Sequence, residues 1–472
     1  MHRSPHFFRR LLCTALALFV SLLGASASGA QTTPPPNFVV ILVDDQSWSG
    51  TPVAMIPGNE LSRSHDLKMP NLEQLATRGM VFSQAYAAHP KCECSRAALL
   101  MGRSTTSLNA VVKHASHWSA SPADSLANTL KRAAPAYRAA HFGKWQWPTS
   151  PEQFGYDAHD GITQNEDGDA ADPNDPKLSF SLTRRAQEYI TRQTQERHPF
   201  FLQISYYAVH QRPQALAETL RKYESSQSSN GKNGKGGPVF SAMSEDLDTC
   251  IGSLLQTLES LGISKNTFVI YTSDNGGRSP ALKGGKTLCD EGGIRVPLII
   301  AGPGIRPASV SQTPVISYDL LPTVLDFAAP KFTPPSGIEG GSWKPVLTHA
   351  GAGTVRRPIP RMVWHHDVEI EHPQTALRKG DLKLLYYWDT RQTFLYNLAK
   401  DLGEQHDLAR EKPAQTAELL AELRSHVRAG LGESRFAELE RGLPGEAGGQ
   451  KGGKGKKGDK RDRGRKGGPG PE

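Results

Sequence analysis

Cysteine is scarce in this chain: there are five in 472 residues, and Cys13 falls inside the N-terminal leader. A disulfide-stapled scaffold is thereby excluded, and no second cysteine pair stands at zinc-like spacing from Cys92 and Cys94. Cys250 and Cys289 are the one pair left that could bridge. Long apolar runs are lacking too. The stretch 11–23 is too short for a comfortable membrane span. An excess of charge is also missing from the body of the chain. The formal net charge is +8, but residues 1–30 hold +3 and residues 451–472 hold +6, which leaves about −1 for everything between. The overall basicity therefore does not describe a nucleic-acid-binding surface.

Arg3, Arg9 and Arg10, the apolar stretch after them and the small residues 24–30 make a secretory signal peptide over residues 1–30, cleaved after Ala30 or Ala27. Cys13 lies too early in that stretch for lipid attachment. The mature chain is expected to be secreted or periplasmic, with no stable membrane span. At the other end, residues 441–472 form a basic Gly/Lys/Arg tail with too little apolar content to fold. Residues 225–238, rich in Ser, Gly, Asn and Lys, read as a flexible surface loop. The length between suits one large α/β domain and a smaller one.

Asn37-Phe38-Val39-Val40-Ile41-Leu42-Val43 is nearly continuous in apolar residues, the pattern of a central parallel strand covered on both faces. It ends at Asp44-Asp45, the strand end at which open α/β sheets place their sites. Thr267-Phe268-Val269-Ile270-Tyr271 repeats the pattern and leads into Thr272-Ser273-Asp274-Asn275. Three carboxylates and one amide oxygen make a hard, all-oxygen set suited to Ca²⁺ rather than Zn²⁺. Further strands are expected at 81–86, 199–205 and 298–300. Helices are expected at 69–78 and 182–195, and where Leu247, Ile251, Leu254, Leu255, Leu258 and Leu261 recur at helical spacing. Aromatic-rich strands at 382–388 and 393–398, a strand at 362–366 and a helix from 413 to 431 make a smaller C-terminal α+β subdomain.

The chemistry concentrates in Cys92-Glu93-Cys94-Ser95-Arg96-Ala97-Ala98-Leu99-Leu100-Met101-Gly102-Arg103. Residues 97–101 are strong helix formers stopped by Gly102. Cys92 and Ser95 then sit at a helix N-terminus, where free N–H groups and the macrodipole favour an anion, and Arg96 adds a permanent forked cation. A thiol, a cation and a helix start within five residues read as an anion-handling nucleophile site.

This run resembles the signature of the formylglycine-dependent (type I) sulfatases of the alkaline-phosphatase-like superfamily, usually Cys-x-Pro-Ser-Arg before a short apolar helix and Gly-Arg. Cys94 stands where that family has proline. The resemblance implies that Cys92 is oxidised by a formylglycine-generating maturation enzyme to an aldehyde, whose hydrate attacks a sulfate ester, and that Arg96 steadies it. It implies one Ca²⁺ per chain held by Asp44, Asp45, Asp274 and Asn275. Gly143-Lys144-Trp145-Gln146 resembles the family's Gly-Lys-Trp-His, so Lys144 is carried over as a sulfate lysine, while Gln146 replaces the histidine. His210, after the strand at 199–205, is carried over as a sulfate-contacting histidine. Lys286, in Leu282-Lys283-Gly284-Gly285-Lys286, is carried over as the second sulfate lysine, with Glu291 and Arg295 structural. His365 and His366 are placed at the cleft mouth as substrate contacts, and His114, His117 or His141 could supply the base that Gln146 cannot.

The fold implied is α/β, with a large, mostly parallel sheet flanked by helices. A catalytic domain over 31–335 and a C-terminal subdomain over 336–440 are expected. The expected substrate is a sulfated small molecule or polysaccharide. Two rivals stand beside this reading: a phosphatase or phosphonate hydrolase on the same fold, and a non-catalytic binder of sulfated glycans suggested by Cys94 and Gln146 together.

Overall fold

The computed structural model describes residues 34–108, 121–169, 172–224 and 237–442. The signal peptide, His114, His117, most of the 225–238 loop and the tail from 443 onward lie outside the described residues. The apolar run of β1 (Asn37–Val43) is buried along its whole length. It is a middle strand of an eight-stranded sheet ordered β5 (Ala158–His159), β4 (Arg138–Gly143), β6 (Phe200–Ser205), β1, β7 (Thr267–Ser273), β8 (Leu298–Ala301), β2 (Met80–Phe82) and β9 (Ser309–Ser311). The five strands from β5 to β7 pair in parallel, and β8 is antiparallel to both β7 and β2.

Successive side chains of β1 enter two different cores, as the period of two requires. Phe38, Val40 and Leu42 pack with α2 (Cys92–Met101), α3 (Leu126–Ala133) and α8 (Leu320–Ala328). Val39, Ile41 and Val43 pack with α1 (Pro70–Arg78), α4 (Ser179–Gln195) and α6 (Pro238–Ser260), the last also contacting α5 (Ala217–Glu224). The leucine and isoleucine stripe from Leu247 to Leu258 is the buried face of α6. Both faces of the sheet are therefore covered, and the strand ends are what remains for a site.

The C-terminal sheet is antiparallel throughout, in the order β11 (Met362–His366), β12 (Gln374–Lys379), β13 (Leu382–Tyr387) and β14 (Thr393–Asn397). Helix α10 (Pro413–Glu440) covers one face through Leu419, Leu423, Val427, Phe436 and Leu439. Short elements α7 (Glu291–Ile294) and α9 (Lys344–Thr348) complete the helices.

Some expectations shift. The stretch 81–86 is not one strand: it divides into β2 and β3 (Ala85–Tyr86), and β3 pairs with β10 (Val315–Ile316) in a separate two-stranded sheet. Strands β4 and β12 were not expected. The helix expected over 413–431 breaks at Gly432, at φ 81, and a second helical stretch continues to Glu440 with Phe436 and Leu439 buried. Cys250 and Cys289 are both buried and form no disulfide, so they do not pair.

One glycine is fixed by geometry. Gly143 ends β4 at φ 94, and a Cβ there would lie 2.1 Å from the Ser205 carbonyl oxygen. That same oxygen accepts the Lys144 N–H at 2.8 Å. Gly143→Ala therefore meets both backbone strain and a clash with main chain, and the expected loss of stability is about 2 kcal/mol or more. Urea unfolding checks this; an unchanged midpoint would contradict it.

Candidate active site

Strands β1 and β7 run side by side with Val43 opposite Ser273, so Asp44-Asp45 and Asp274-Asn275 leave the sheet together. The Asp45 N–H donates to Asp274 Oδ1 at 3.1 Å, and Asn275 Nδ2 donates to Asp45 Oδ1 at 2.8 Å. All four residues are buried. On the other side of β1, the segment after β6 is tied down by Asp44 N–H to Ala208 O and Val209 N–H to Asp44 O, both 2.9 Å. It delivers His210, whose Nε2 lies 4.0 Å from Asp45 Oδ2. From β4, the next strand out, Lys144 reaches Asp44 Oδ2 in a fully buried ion pair.

Helix α2 starts at Cys92 itself, earlier than the helix formers at 97–101 indicated, and Gly102 caps it at φ 64. The Cys92 sulfur and one carboxylate oxygen each of Asp44 and Asp274 all lie within 4.8 Å of one another. Arg96, one turn into the helix, grips Asp274 Oδ2 through Nε at 2.9 Å and Nη2 at 2.6 Å, and donates from Nη1 to the Lys144 carbonyl at 2.7 Å. Lys286 closes the group, with Nζ 2.6 Å from Asp45 Oδ1. Cys92, Arg96, Lys144, His210, Lys286, Asp44, Asp45, Asp274 and Asn275 thus converge on one spot from six chain segments.

The electrostatics follow from burying so many charges together. Burial pushes Asp44 up to about 7, with Lys144 opposing and the neighbouring carboxylates of Asp274 and Asp45 adding to the rise. Asp274 is also penalised by burial, but Arg96 and Lys144 hold it below the usual carboxylate range. Burial raises the Cys92 thiol, despite Lys144. Burial and Lys144 lower His210 to about 4, against the pull of Asp45. Lys286 stays above its ordinary value despite burial, held by Cys92, Asp45 and Asp44.

Other sequence-predicted residues are placed differently. Gln146, at φ 66, donates from Nε2 to Asn165 Oδ1 at 3.2 Å, while its Oε1 is buried without a hydrogen-bond partner. His365 meets Thr375 Oγ1 at 2.6 Å and Asp367 Oδ2 at 3.3 Å. His366 donates from Nδ1 to the Thr287 carbonyl at 2.7 Å. His141 is buried, with Nε2 3.0 Å from Ser205 Oγ and its ring against Trp145 and Tyr156, and burial lowers it to about 3. Glu291 and Arg295 are structural, paired at 2.8 Å deep in the protein, with Lys383 3.0 Å from the same carboxylate. His89 was missed by sequence reasoning. It packs against His366 with ring centroids 5.0 Å apart, and its only sequence signal is its place three residues before Cys92.

Residues 36–329 match the Sulfatase family, and residues 285–430 match the family described as N-sulphoglucosamine sulphohydrolase, C-terminal. A protein named sulfatase from Formosa agariphila is 28% identical over 517 residues, covering 88% of this chain and 92% of that one. The N-acetylgalactosamine-6-sulfatase of Mus musculus is 31% identical over 387 residues, covering 69% of this chain and 68% of that one. Among solved structures, Ps i-CgsB in complex with k-i-k-neocarrahexaose superposes with a TM-score of 0.71 at 23% identity, covering 88% of this chain and 95% of that one. On this fold and these matches, the chain belongs to the sulfatase family and is a sulfuric ester hydrolase.

Proposed function

We propose that the chain is an exported sulfatase that removes sulfate from a sulfated carbohydrate, with residue 92 carrying formylglycine and a single calcium ion beside it. The observation that carries this reading is the convergence of Cys92 with the Asp44 and Asp274 carboxylates, ringed by Arg96, Lys144 and Lys286. A buried thiol held above its ordinary value is a poor thiolate nucleophile at neutral pH, which favours a modified residue 92 over cysteine itself. The carbohydrate substrate is supported by the name of the N-acetylgalactosamine-6-sulfatase relative. Export is supported by the signal-peptide pattern, and no helix among the described residues is long and apolar enough to cross a membrane. The catalytic domain is taken as 31–335 and the C-terminal subdomain as 336–440.

The donor set fits calcium. Asp44 Oδ1 and Asn275 Oδ1 are buried without a hydrogen-bond partner, and every donor is a hard oxygen. Asp44, Asp45, Asp274 and Asn275 would hold the ion. Formylglycine would supply the attacking oxygen and calcium a fixed positive charge. The chain's own groups do the rest. Arg96 anchors the start of α2 and keeps Asp274 ionised. Lys144 and Lys286 bring two ammonium groups to the oxygens of the bound sulfate and offset the charge that grows there as the S–O bond breaks. A bound sulfate, acting with Asp45, would oppose the lowering of His210 by burial and Lys144, and the imidazolium so favoured would give its proton to the leaving alcohol.

Mass analysis of the peptide containing Cys92, purified from its native host, tests the central point. The aldehyde or its hydrate is expected at position 92. A fully unmodified cysteine in protein that turns over sulfate esters would falsify the nucleophile assignment. Aryl sulfate and aryl phosphate offered side by side separate the phosphatase reading, with sulfate expected to be the better substrate.

The calcium reading is checked with Asp274→Asn, which leaves Arg96 an acceptor. Bound calcium and turnover should fall together; a variant that keeps full turnover without calcium contradicts the assignment.

Gln146 gives a further expectation. Its amide can donate a hydrogen bond to sulfate but cannot take up and release a proton near neutral pH. General-base help is worth about 10²- to 10⁴-fold, so the step that frees sulfate should limit the enzyme. Stopped-flow release of a phenol should show a burst in the parent, and Gln146→His should raise the steady-state rate. A variant with lowered rate, and a parent with no burst, would count against it.

A further inference from the structure

The segment that carries Lys286 has little regular structure, yet its lysine must meet the sulfate within a fraction of an ångström. Besides its own turns, it is held from outside. The Thr287 N–H donates to the Pro90 carbonyl at 2.9 Å, two residues before Cys92. The Thr287 carbonyl accepts from His366 Nδ1 at 2.7 Å, at the end of β11. Thr287 itself sits at φ 76, a conformation that a β-branched residue holds only when its surroundings impose it. Farther along, the Cys289 N–H donates to Gln374 Oε1 at 2.8 Å and the Glu291 N–H to Glu404 Oε2 at 2.7 Å. Three residues of the C-terminal part of the chain thus grip this segment's backbone.

The contact at Thr287 is the one adjacent to Lys286, and it is tied to the nucleophile helix by a second imidazole. His89 packs edge-on against His366. Its Nε2 reaches the His365 carbonyl at 2.9 Å, and its Nδ1 accepts the N–H of Lys91 at 3.1 Å, the residue that caps α2 ahead of Cys92. A carbonyl can only accept, so His366 carries its proton on Nδ1 and His89 carries its proton on Nε2. Burial keeps both rings below their ordinary values, hence neutral, so neither tautomer is lost near pH 7.

We propose that His366 is a positioning residue: through the Thr287 carbonyl, and braced by His89, it fixes Lys286 in register with residue 92. The C-terminal sheet then acts on the reaction through the peptide after the sulfate lysine. This rests on the reading of Lys286 as a sulfate ligand given above.

The test compares His366→Asn, whose amide N–H can occupy the place of Nδ1–H, with His366→Gln, whose amide extends to the place of Nε2. A misplacement of about 1 Å costs on the order of 10²-fold in such a site. His366→Gln should lower kcat/KM for an aryl sulfate by at least about tenfold, and His366→Asn should stay within about threefold of the parent. Melting temperatures of the two should be alike while their activities differ, whereas a merely structural role would make activity follow melting temperature. Equal activity of the Asn and Gln variants overturns the proposal. Lys286→Ala serves as the control on the underlying reading. If it leaves turnover intact, the assignment of Lys286 itself is wrong. If it abolishes turnover while His366→Gln matches the parent, only the positioning role is wrong. Should either His366 variant fail to fold, nitrogen NMR of the histidine-labelled parent decides: a neutral Nδ1–H tautomer for His366 is required, and the Nε2–H tautomer would overturn it.

Discussion

Everything in this molecule depends on keeping Asp44, Asp45 and Asp274 buried together at the end of two adjacent strands. An unpaired buried carboxylate is expensive, and three within contact of one another are more so. The structure answers with Lys144, Lys286 and Arg96, one cation for each acid, each arriving from a separate element. Breaking one such pair leaves an uncompensated charge worth about 3–5 kcal/mol. The same opposition of charges that makes the site costly to fold gathers three cations at one buried spot. Cations already gathered and desolvated need no reorganisation when an anion arrives.

The parts of this arrangement that lie in continuous segments were legible in the sequence. Asp44-Asp45 follows an unmistakable buried strand, and the run from Cys92 to Arg103 carries a thiol, a cation and a helix in a fixed order. Strand β4 was illegible because Arg-Ala-Ala-His-Phe-Gly has little β-branched content; its strand conformation is imposed by parallel pairing with β6. Strand β12, from Gln374 to Lys379, is as polar as a loop. Its Gln374 and Arg378 are buried because their partners are a backbone N–H at Cys289 and the hydroxyl of Tyr86, far away in sequence. Polar side chains that serve as crosslinks defeat any reading based on hydrophobic period.

His365 and His366 show the same limit within the site. Two histidines at a strand end invite a substrate-contact reading from sequence. The fold engages Nδ1 of each inside the protein, one on Thr375 and one on the Thr287 carbonyl. A backbone carbonyl has no signature in a sequence, so the inward bond of each ring has no sequence signal, and Nε2 of His366 is left without a hydrogen-bond partner.

A second buried charge cluster ties the C-terminal sheet to the segment that carries Lys286. Glu291, within the segment following Lys286, is shared by Arg295, Tyr86 and Lys383, and Lys383 also pairs with Glu404 at 2.8 Å. The two carboxylates divide the burden unequally. Glu291 is held down at about 2, despite its burial, by Lys383 and Arg295, whereas burial lifts Glu404 to about 7. Lys383 belongs to β13 and Glu404 follows β14, so the cluster joins the smaller sheet to the segment after Lys286 by charges that cannot be exposed singly without large cost. Apolar contact alone would hold the two together but would tolerate sliding. Hydrogen-bonded ions with fixed partners do not, and the segment between the two clusters, with Lys286 at one end and Glu291 at the other, is thereby set at both ends.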